Sequence, residues 1–385
     1  LGNEAINLDS PVTVAQLNTV SALTTGNVTA TVSDTDVDTL AGITESGNNL
    51  TLTLTDATSV AASSLNAIDA KTTGVLQVTS TNITGTAADI ATAYAANTAG
   101  TITGLGSESI TVDSGTISVA QVNTLAAATT GIVTATVTEG DVTTLKTIAE
   151  SGNALSYTVT DASVAANDLT ILDAATTGNL TVTSTTITGS ASEVTSAYTA
   201  NTAGTINGLG NESVVVSTGS ASVAQVNTLA GATTGTVTAT VTEGDAATLK
   251  TIAEAGNALA VTVTDASVAA NDLTALDAAT TGNLTVTSTT ITGTASEVTS
   301  AYAANTAGTI SGLGNESVTI SDTSIDASSL NTLDDKTTGV INASTVATVT
   351  GDYTALNTTY TSSGISGIGN ESVTVNSGTA SVAQV

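Results

Sequence analysis

The sequence contains no cysteine, histidine, arginine, methionine, phenylalanine or tryptophan, and a single proline, Pro11. Without cysteine there are no disulfides, thiolate metal sites or cysteine nucleophiles. Without histidine the commonest general base and metal ligand is missing, so a nucleophilic triad has no base. Six tyrosines are the only aromatics, which excludes a core built on large rings. Four Lys against 33 Asp and Glu give a net charge of −29, a surface that repels nucleic-acid phosphates. No apolar run approaches the ~18 residues expected of a membrane-spanning helix. No basic n-region with an apolar h-region opens the chain.

What remains is abundant in small aliphatic residues. Hydrophobic residues make up 40% of the 385 and the mean hydropathy is +0.30, so the low charged fraction does not signal disorder. The core must be made of Val, Leu, Ile and Ala.

Repeats govern the chain. Thr-Thr-Gly recurs with its glycine at 26, 74, 131, 178, 235, 282 and 339, in spacings of 48, 57, 47, 57, 47 and 57. Gly-Leu-Gly-Asn-Glu-Ser or a close variant places Glu4, Glu108, Glu212, Glu316 and Glu371, in three steps of 104 and one of 55. Two markers agreeing on one period identify an internal repeat. The repeats are 1–104, 105–208, 209–312, a shortened 313–367 lacking its short unit, and the start of another over 368–385.

Residues 132–235 show the internal pattern. Val133-Thr-Ala-Thr-Val137 alternates with the period of a strand. Val142, Leu145, Ile148 and Ala149 follow at helical spacing, with Asp141 as N-cap. Leu155-Ser-Tyr-Thr-Val159 predicts a second strand, and Leu169 and Leu172 a helix ending at Gly178. Leu180-Thr-Val182 precedes a helix with Val194, Ala197 and Tyr198. Ser213-Val-Val-Val216 precedes one with Val223, Val226 and Leu229.

The expected fold is therefore an α/β repeat solenoid of stacked strand–short-helix coils with a parallel β-sheet face, about four coils per 104 residues. About 15 coils at strand spacing give a rod of ~70 Å. The glycine of Thr-Thr-Gly fits a helix C′ position requiring φ > 0. The competing architecture, a string of immunoglobulin-like sandwiches, calls for seven strands per 104 residues and proline-rich turns. Solenoids carry polar caps, and the two ends of this sequence do not depart from the repeat. The expectation is a window of a longer protein, or identical chains stacked end to end.

Leu172-Asp-Ala-Ala-Thr-Thr-Gly178, Leu276-Asp-Ala-Ala-Thr-Thr-Gly282, Ile187-Thr-Gly and Gly208-Leu-Gly-Asn-Glu-Ser213 resemble repeats of very large extracellular and cell-surface proteins of cyanobacteria and other aquatic bacteria. The resemblance spans essentially the whole chain. It implies a secreted surface protein exported without a cleaved signal and serving adhesion, a cell coat, motility or a filament. It supplies no catalytic residues. The Gly-Gly-x-Gly-x-Asp nonapeptide of calcium-binding secreted repeats is missing.

The candidate chemistry is sparse, and the chain is read as non-enzymatic. Phosphate-cradling Gly-x-x-x-x-Gly-Lys is absent, and Lys71, Lys146, Lys250 and Lys336 occupy repeat positions. A carboxylate pair could hydrolyse glycosides, but every carboxylate motif recurs with the repeat. Calcium is the one cofactor candidate: Asp34, Asp36 and Asp38 form an Asp-x-Asp-x-Asp run, and Asp56, Asp161 and Asp265 each follow a strand in Thr-Asp-Ala. The competing role for these residues is capping of helices and turns. The recurring Glu of the Gly-Asn-Glu-Ser marker, four coils apart, is expected to act locally at a corner. Thr134 and Thr136, Thr158 and Thr160, Thr181 and Thr183, Thr238 and Thr240, Thr262 and Thr264, and Thr285 and Thr287 are Thr-x-Thr pairs. On an outer sheet face they would form ladders suited to ice or to a second rod, or act simply as solvent-facing strand residues. The expected function is an extracellular rod, filament or surface coat that self-associates end to end or laterally, or joins other surface components. The alternative is an adhesin or ligand-binding solenoid, calcium-dependent or ice-binding.

Overall fold

The computed structural model describes residues 2–55, 58–113 and 115–376. The chain divides into two compact units, Leu1–Ser184 with Thr199–Leu209 and Thr185–Tyr198 with Gly210–Val385. Short strands alternate with short helices throughout, and the strand pairs are parallel. An immunoglobulin-like sandwich is antiparallel, so that alternative falls. Its strand count does not: residues 132–235 hold seven strands and four helices.

The extra strands correct the expectation of one strand per helix. Ser163–Ala165, Thr186–Gly189 and Ile206–Asn207 were not expected, because two to four residues are too few to show a period. They give the sheets a staggered order. In the first unit, Ile6–Asn7, Val28–Thr31, Asn49–Leu54, Leu76–Val78 and Ile102–Thr103 form one sheet. A second begins with Val60–Ala61, Asn82–Gly85 and Ser109–Val112 and continues through Val133–Thr136, Ala154–Val159, Leu180–Val182 and Ile206–Asn207. Val133–Thr136 is the hand-over point: it pairs with the strand just before one helix on one side and with a strand that has another after it on the other. The second unit repeats this at Val237–Thr240, between Ser213–Val216 and Ala258–Val263.

Parallel in-register pairing stacks like upon like. Val268, Ile291, Val318, Ile341 and Ile365 are successive Cα partners, and all are buried. Along each strand the burial alternates, as in Val133–Thr136, where Val133 and Ala135 face the core and Thr134 and Thr136 face solvent. Helices close the core from the other side through Leu169 and Leu172, or Val223, Val226 and Leu229.

The helix expected over Val142 to Ala149 is only Val142–Leu145. Its continuation is intercepted from the preceding helix, Val119–Ala128. Asn123 donates through Nδ2 to the Thr147 carbonyl at 3.1 Å and accepts the Ala149 N–H at 2.9 Å. Asn227 holds Thr251 and Ala253 in the same way. Backbone groups bonded sideways cannot extend the helix.

The glycine of Thr-Thr-Gly also needs a different account. None of Gly26, Gly74, Gly131, Gly178, Gly235, Gly282 and Gly339 has positive φ. At each, a Cβ would lie within 3.0 Å of a backbone carbonyl oxygen 22–24 residues earlier, such as Glu212 for Gly235 and Leu259 for Gly282. Close packing of backbones demands the glycine. The left-handed helix caps are elsewhere, as at Gly308, φ 86°.

Candidate functional site

The recurring polar residues bond to backbone groups about twenty residues away in the chain. In Thr-Thr-Gly the first threonine is the working group. The Thr233 hydroxyl donates to the Glu212 carbonyl at 2.7 Å and accepts the Gly235 N–H at 3.0 Å. Thr129 and Thr337 do the same toward Glu108 and Glu316. In the alternate Thr-Thr-Gly copies Thr176 and Thr280 donate to the Leu155 and Leu259 carbonyls and accept those residues' N–H groups. All five of these hydroxyl residues are buried.

The Gly-Asn-Glu-Ser marker forms a carboxylate corner. Glu108, Glu212 and Glu316 are only 2–3% exposed. The Glu212 carboxylate accepts N–H bonds from Gly210 at 2.8 Å and Asn211 at 3.3 Å, and the Tyr198 hydroxyl donates to it at 2.7 Å. Tyr94 and Tyr302 serve Glu108 and Glu316 at 3.1 and 2.8 Å. Burial first, and then the neighbouring Glu108 carboxylate, push the Tyr94 phenol well above its ordinary range. Burial does the same at Tyr198 and Tyr302, reinforced by Glu212 and Glu316, with Thr337 opposing at Tyr302. The carboxylates therefore act locally, each in its own corner.

Asparagine completes these junctions, and sequence reasoning missed it. Buried Asn153 and Asn257 accept the Val133 and Val237 N–H groups at 2.8 Å. The Tyr partner of each Glu was missed as well, since Tyr198 was read only as part of an apolar stripe. The constant spacing of 14 from Tyr94, Tyr198 and Tyr302 to Glu108, Glu212 and Glu316 was the available signal.

The calcium candidates lie at helix starts. Asp36 is the N-cap of Val37–Ala41 and accepts the Thr39 N–H at 2.8 Å. That bond, chiefly from the backbone, holds its carboxyl below the usual range, as Thr144 does for Asp141 and Thr248 for Asp245. Asp34 accepts the Val14 N–H at 2.7 Å, Asp161 that of Val142 at 2.8 Å and Asp265 that of Ala246 at 2.6 Å. Each therefore caps the first amide of a helix that begins 19 or 20 residues earlier in the chain. Asp38 is exposed in the first turn of Val37–Ala41, and Asp56 lies outside the described residues. Among the described residues no three Asp or Glu side chains converge as a metal-binding group.

Of the threonine candidates, Thr134, Thr136, Thr158, Thr181, Thr238, Thr240, Thr262 and Thr285 lie on strands, whereas Thr160, Thr183, Thr264 and Thr287 lie just past strand ends. Thr183 and Thr287 there donate to the Val159 and Val263 carbonyls. Thr158 is the Cα partner of Thr181 and Thr262 of Thr285, but the next partners are Asn207 and Ser311. Thr134 adjoins Thr111 on one side and Ala154 on the other, and Thr238 and Thr240 adjoin Ala258 and Ala260. Threonine rows through these candidates thus span at most three strands, and Thr238, between Val215 and Ala258, starts none. Lys146 and Lys250 bridge to Asp168 and Asp272 at 2.7 and 2.8 Å.

No helix among the described residues is long and apolar enough to cross a membrane. Comparison with protein-family models, with curated proteins and with solved structures gave no match.

Proposed function

We propose that the chain is a non-enzymatic structural repeat protein. Its coils, four per full repeat, continue as one α/β solenoid that serves as an extracellular rod, filament or cell-surface coat, assembling end to end, laterally or with other surface components. The supporting observation is where the recurring polar groups go. Thr233, Asn257, Asp265 and their repeats bond to backbone groups about twenty residues away, in an adjacent coil. Such a motif secures one coil to another, whereas an active site is normally a single constellation. The extracellular setting rests on the resemblance of the repeats to giant surface proteins.

Electron micrographs of the purified chain test this proposal. Thin rods about 70 Å long, alone or in bundles, are the expected particles. Round particles or beads on a string would overturn it. Thermal melts in low salt, sodium chloride and calcium address the surface charge of −29. General screening predicts stabilisation by either salt, while a calcium-dependent rod predicts a response to dilute calcium that a chelator reverses.

A further inference from the structure

Asn207-Gly208 is the one Asn-Gly dipeptide among the 385 residues; the equivalent positions elsewhere read Thr103-Gly, Ser311-Gly and Ser366-Gly. Asparagine before glycine is the arrangement in which the next backbone nitrogen most easily reaches the side-chain carbonyl, because glycine has no Cβ to obstruct it. Three features of the fold hold that reaction back. Asn207 belongs to the strand Ile206–Asn207, paired in register with Leu180 and Thr181. Its side-chain Nδ2 donates to Asn179 Oδ1 and, more weakly, to the Gly204 carbonyl. Gly208 is fixed at φ +94°, against the Val182 carbonyl.

We infer that Asn207 is a self-modification site, forming a succinimide with Gly208 at a rate set by opening of this strand. The Gly208 backbone nitrogen attacks Asn207 Cγ and forms a C–N bond. The carboxamide nitrogen leaves as ammonia, taking up the proton that the Gly208 nitrogen gives up. Water then opens the ring at either carbonyl, leaving aspartate or isoaspartate. Cyclisation requires Cγ to swing to bonding distance of the Gly208 nitrogen, which breaks the bond to Asn179 and distorts the extended backbone. Either product removes the donor that Asn179 accepts. Isoaspartate also lengthens the strand by one backbone carbon and breaks its register with Leu180 and Thr181.

Peptide mapping by mass spectrometry of the full chain, in mildly alkaline buffer with and without urea, tests this. In urea the peptide carrying Asn207 should convert from amide to acid faster than any other asparagine peptide. In the folded chain its conversion should be at least about tenfold slower, as for chemistry gated by local opening. Asn179→Ala, shown folded by circular dichroism, should recover much of the urea rate, while Asn207→Ser should silence the peptide in both conditions. Earlier conversion at another asparagine in urea would overturn the site. Equal rates in folded and unfolded chains would overturn the gating, and an unchanged folded rate in Asn179→Ala would overturn the role of that side chain.

Discussion

Two corners in the second unit have almost the same sequence, Gly312-Leu-Gly-Asn-Glu-Ser317 and Gly367-Ile-Gly-Asn-Glu-Ser372, and differ in environment. Both carboxylates accept local backbone N–H groups and a tyrosine hydroxyl: Glu316 from Gly314 and Tyr302, Glu371 from Gly369, Asn370 and Tyr360. Glu316 is 2% exposed, and the strand after it, Ser317–Ile320, buries Val318 and Ile320. Glu371 is half-buried, and all of Ser372–Val375 is exposed. At the Glu316 corner Thr337-Thr-Gly339 lies on the Glu316 carbonyl. The carboxylate's bonds come from the corner's own amides and its tyrosine, while the Glu316 backbone is also held by Thr337. The Tyr–Glu spacing shows that the local part tolerates change: it is 14 at Glu316 and 11 at Glu371, where the preceding helix has nine residues instead of thirteen.

The sharpest way to break the covered corner is Gly339→Ala. The new Cβ would collide with the Glu316 backbone, which cannot rotate away as a side chain would. The expected loss is about 3 kcal/mol of stability. The control is Gly231→Ala, in the helix Val223–Ala232 with nothing within 4 Å of a new Cβ; it should gain about 0.5–1 kcal/mol. Urea unfolding of the two variants measures both. Equal effects would show that close approach is not what the Thr-Thr-Gly glycine provides.

Next in size is the carboxylate itself. Glu316→Gln removes the charge from a buried acceptor and turns an amide donor toward groups that donate, so about 2 kcal/mol should be lost. Glu371→Gln, half-exposed, should cost about 0.5 kcal/mol or less, since water replaces the lost bonds. Similar losses at both sites would mean that burial adds nothing to the corner.

The tyrosines make the same comparison through pH. Burial, with Glu108 or Glu212 adding to it, raises the phenols of Tyr94 and Tyr198 above the unfolded value of about 10. Neutral tyrosine is thus favoured in the folded chain. The stabilisation is complete below about pH 10 and is lost as pH rises beyond it, because the unfolded chain releases protons first. Unfolding followed by circular dichroism in alkaline buffers should show stability falling from there upward. Tyr198→Phe should be less stable at neutral pH and lose less on the alkaline side. An unaltered alkaline midpoint in that variant would assign the effect elsewhere.

Much of the fold was legible in the sequence because the repeat multiplies weak signals. Val133–Thr136, Ala154–Val159 and Ser213–Val216 carry a clear alternation, and the helix with Val223, Val226 and Leu229 a clear stripe. Strands such as Ile206–Asn207 were not legible, being too short to show a period, so the staggered sheet order was hidden too. Among the site residues, Asp36 and Asp161 could be seen as capable either of capping or of binding a cation, since both uses need a short acidic side chain at a turn. Asn123 and Asn153 left no signal at all. Their bonds run to backbone twenty or more residues away, and backbone partners leave no residue type to recognise.

Two helix pairs, Ala62–Asp69 with Ala87–Ala99 and Ala327–Asp334 with Tyr353–Thr361, make a further comparison. In both pairs an asparagine reaches across: Asn66 donates to the Asp89 carbonyl at 2.9 Å and Asn331 to the Ala355 carbonyl at 3.0 Å. In the second pair the buried Thr359 hydroxyl also lies 2.8 Å from Asn331 Oδ1 and can donate to it. The residue in Thr359's place in the first pair is Ala93, fully buried, and Asn66 Oδ1 has no hydrogen-bond partner among the described residues. Ala93→Thr should supply the missing donor. Satisfying a buried acceptor is worth about 1–3 kcal/mol, against about 0.5 kcal/mol for threonine's lower helix propensity. A net gain of about 1 kcal/mol is expected, and Thr359→Ala should lose a similar amount. Urea midpoints of the two variants and a double-mutant cycle with Asn66→Ala measure the pairing. If Ala93→Thr destabilises the chain whether or not Asn66 is present, steric overpacking outweighs the hydrogen bond, and the two helix pairs differ in volume rather than in polar satisfaction.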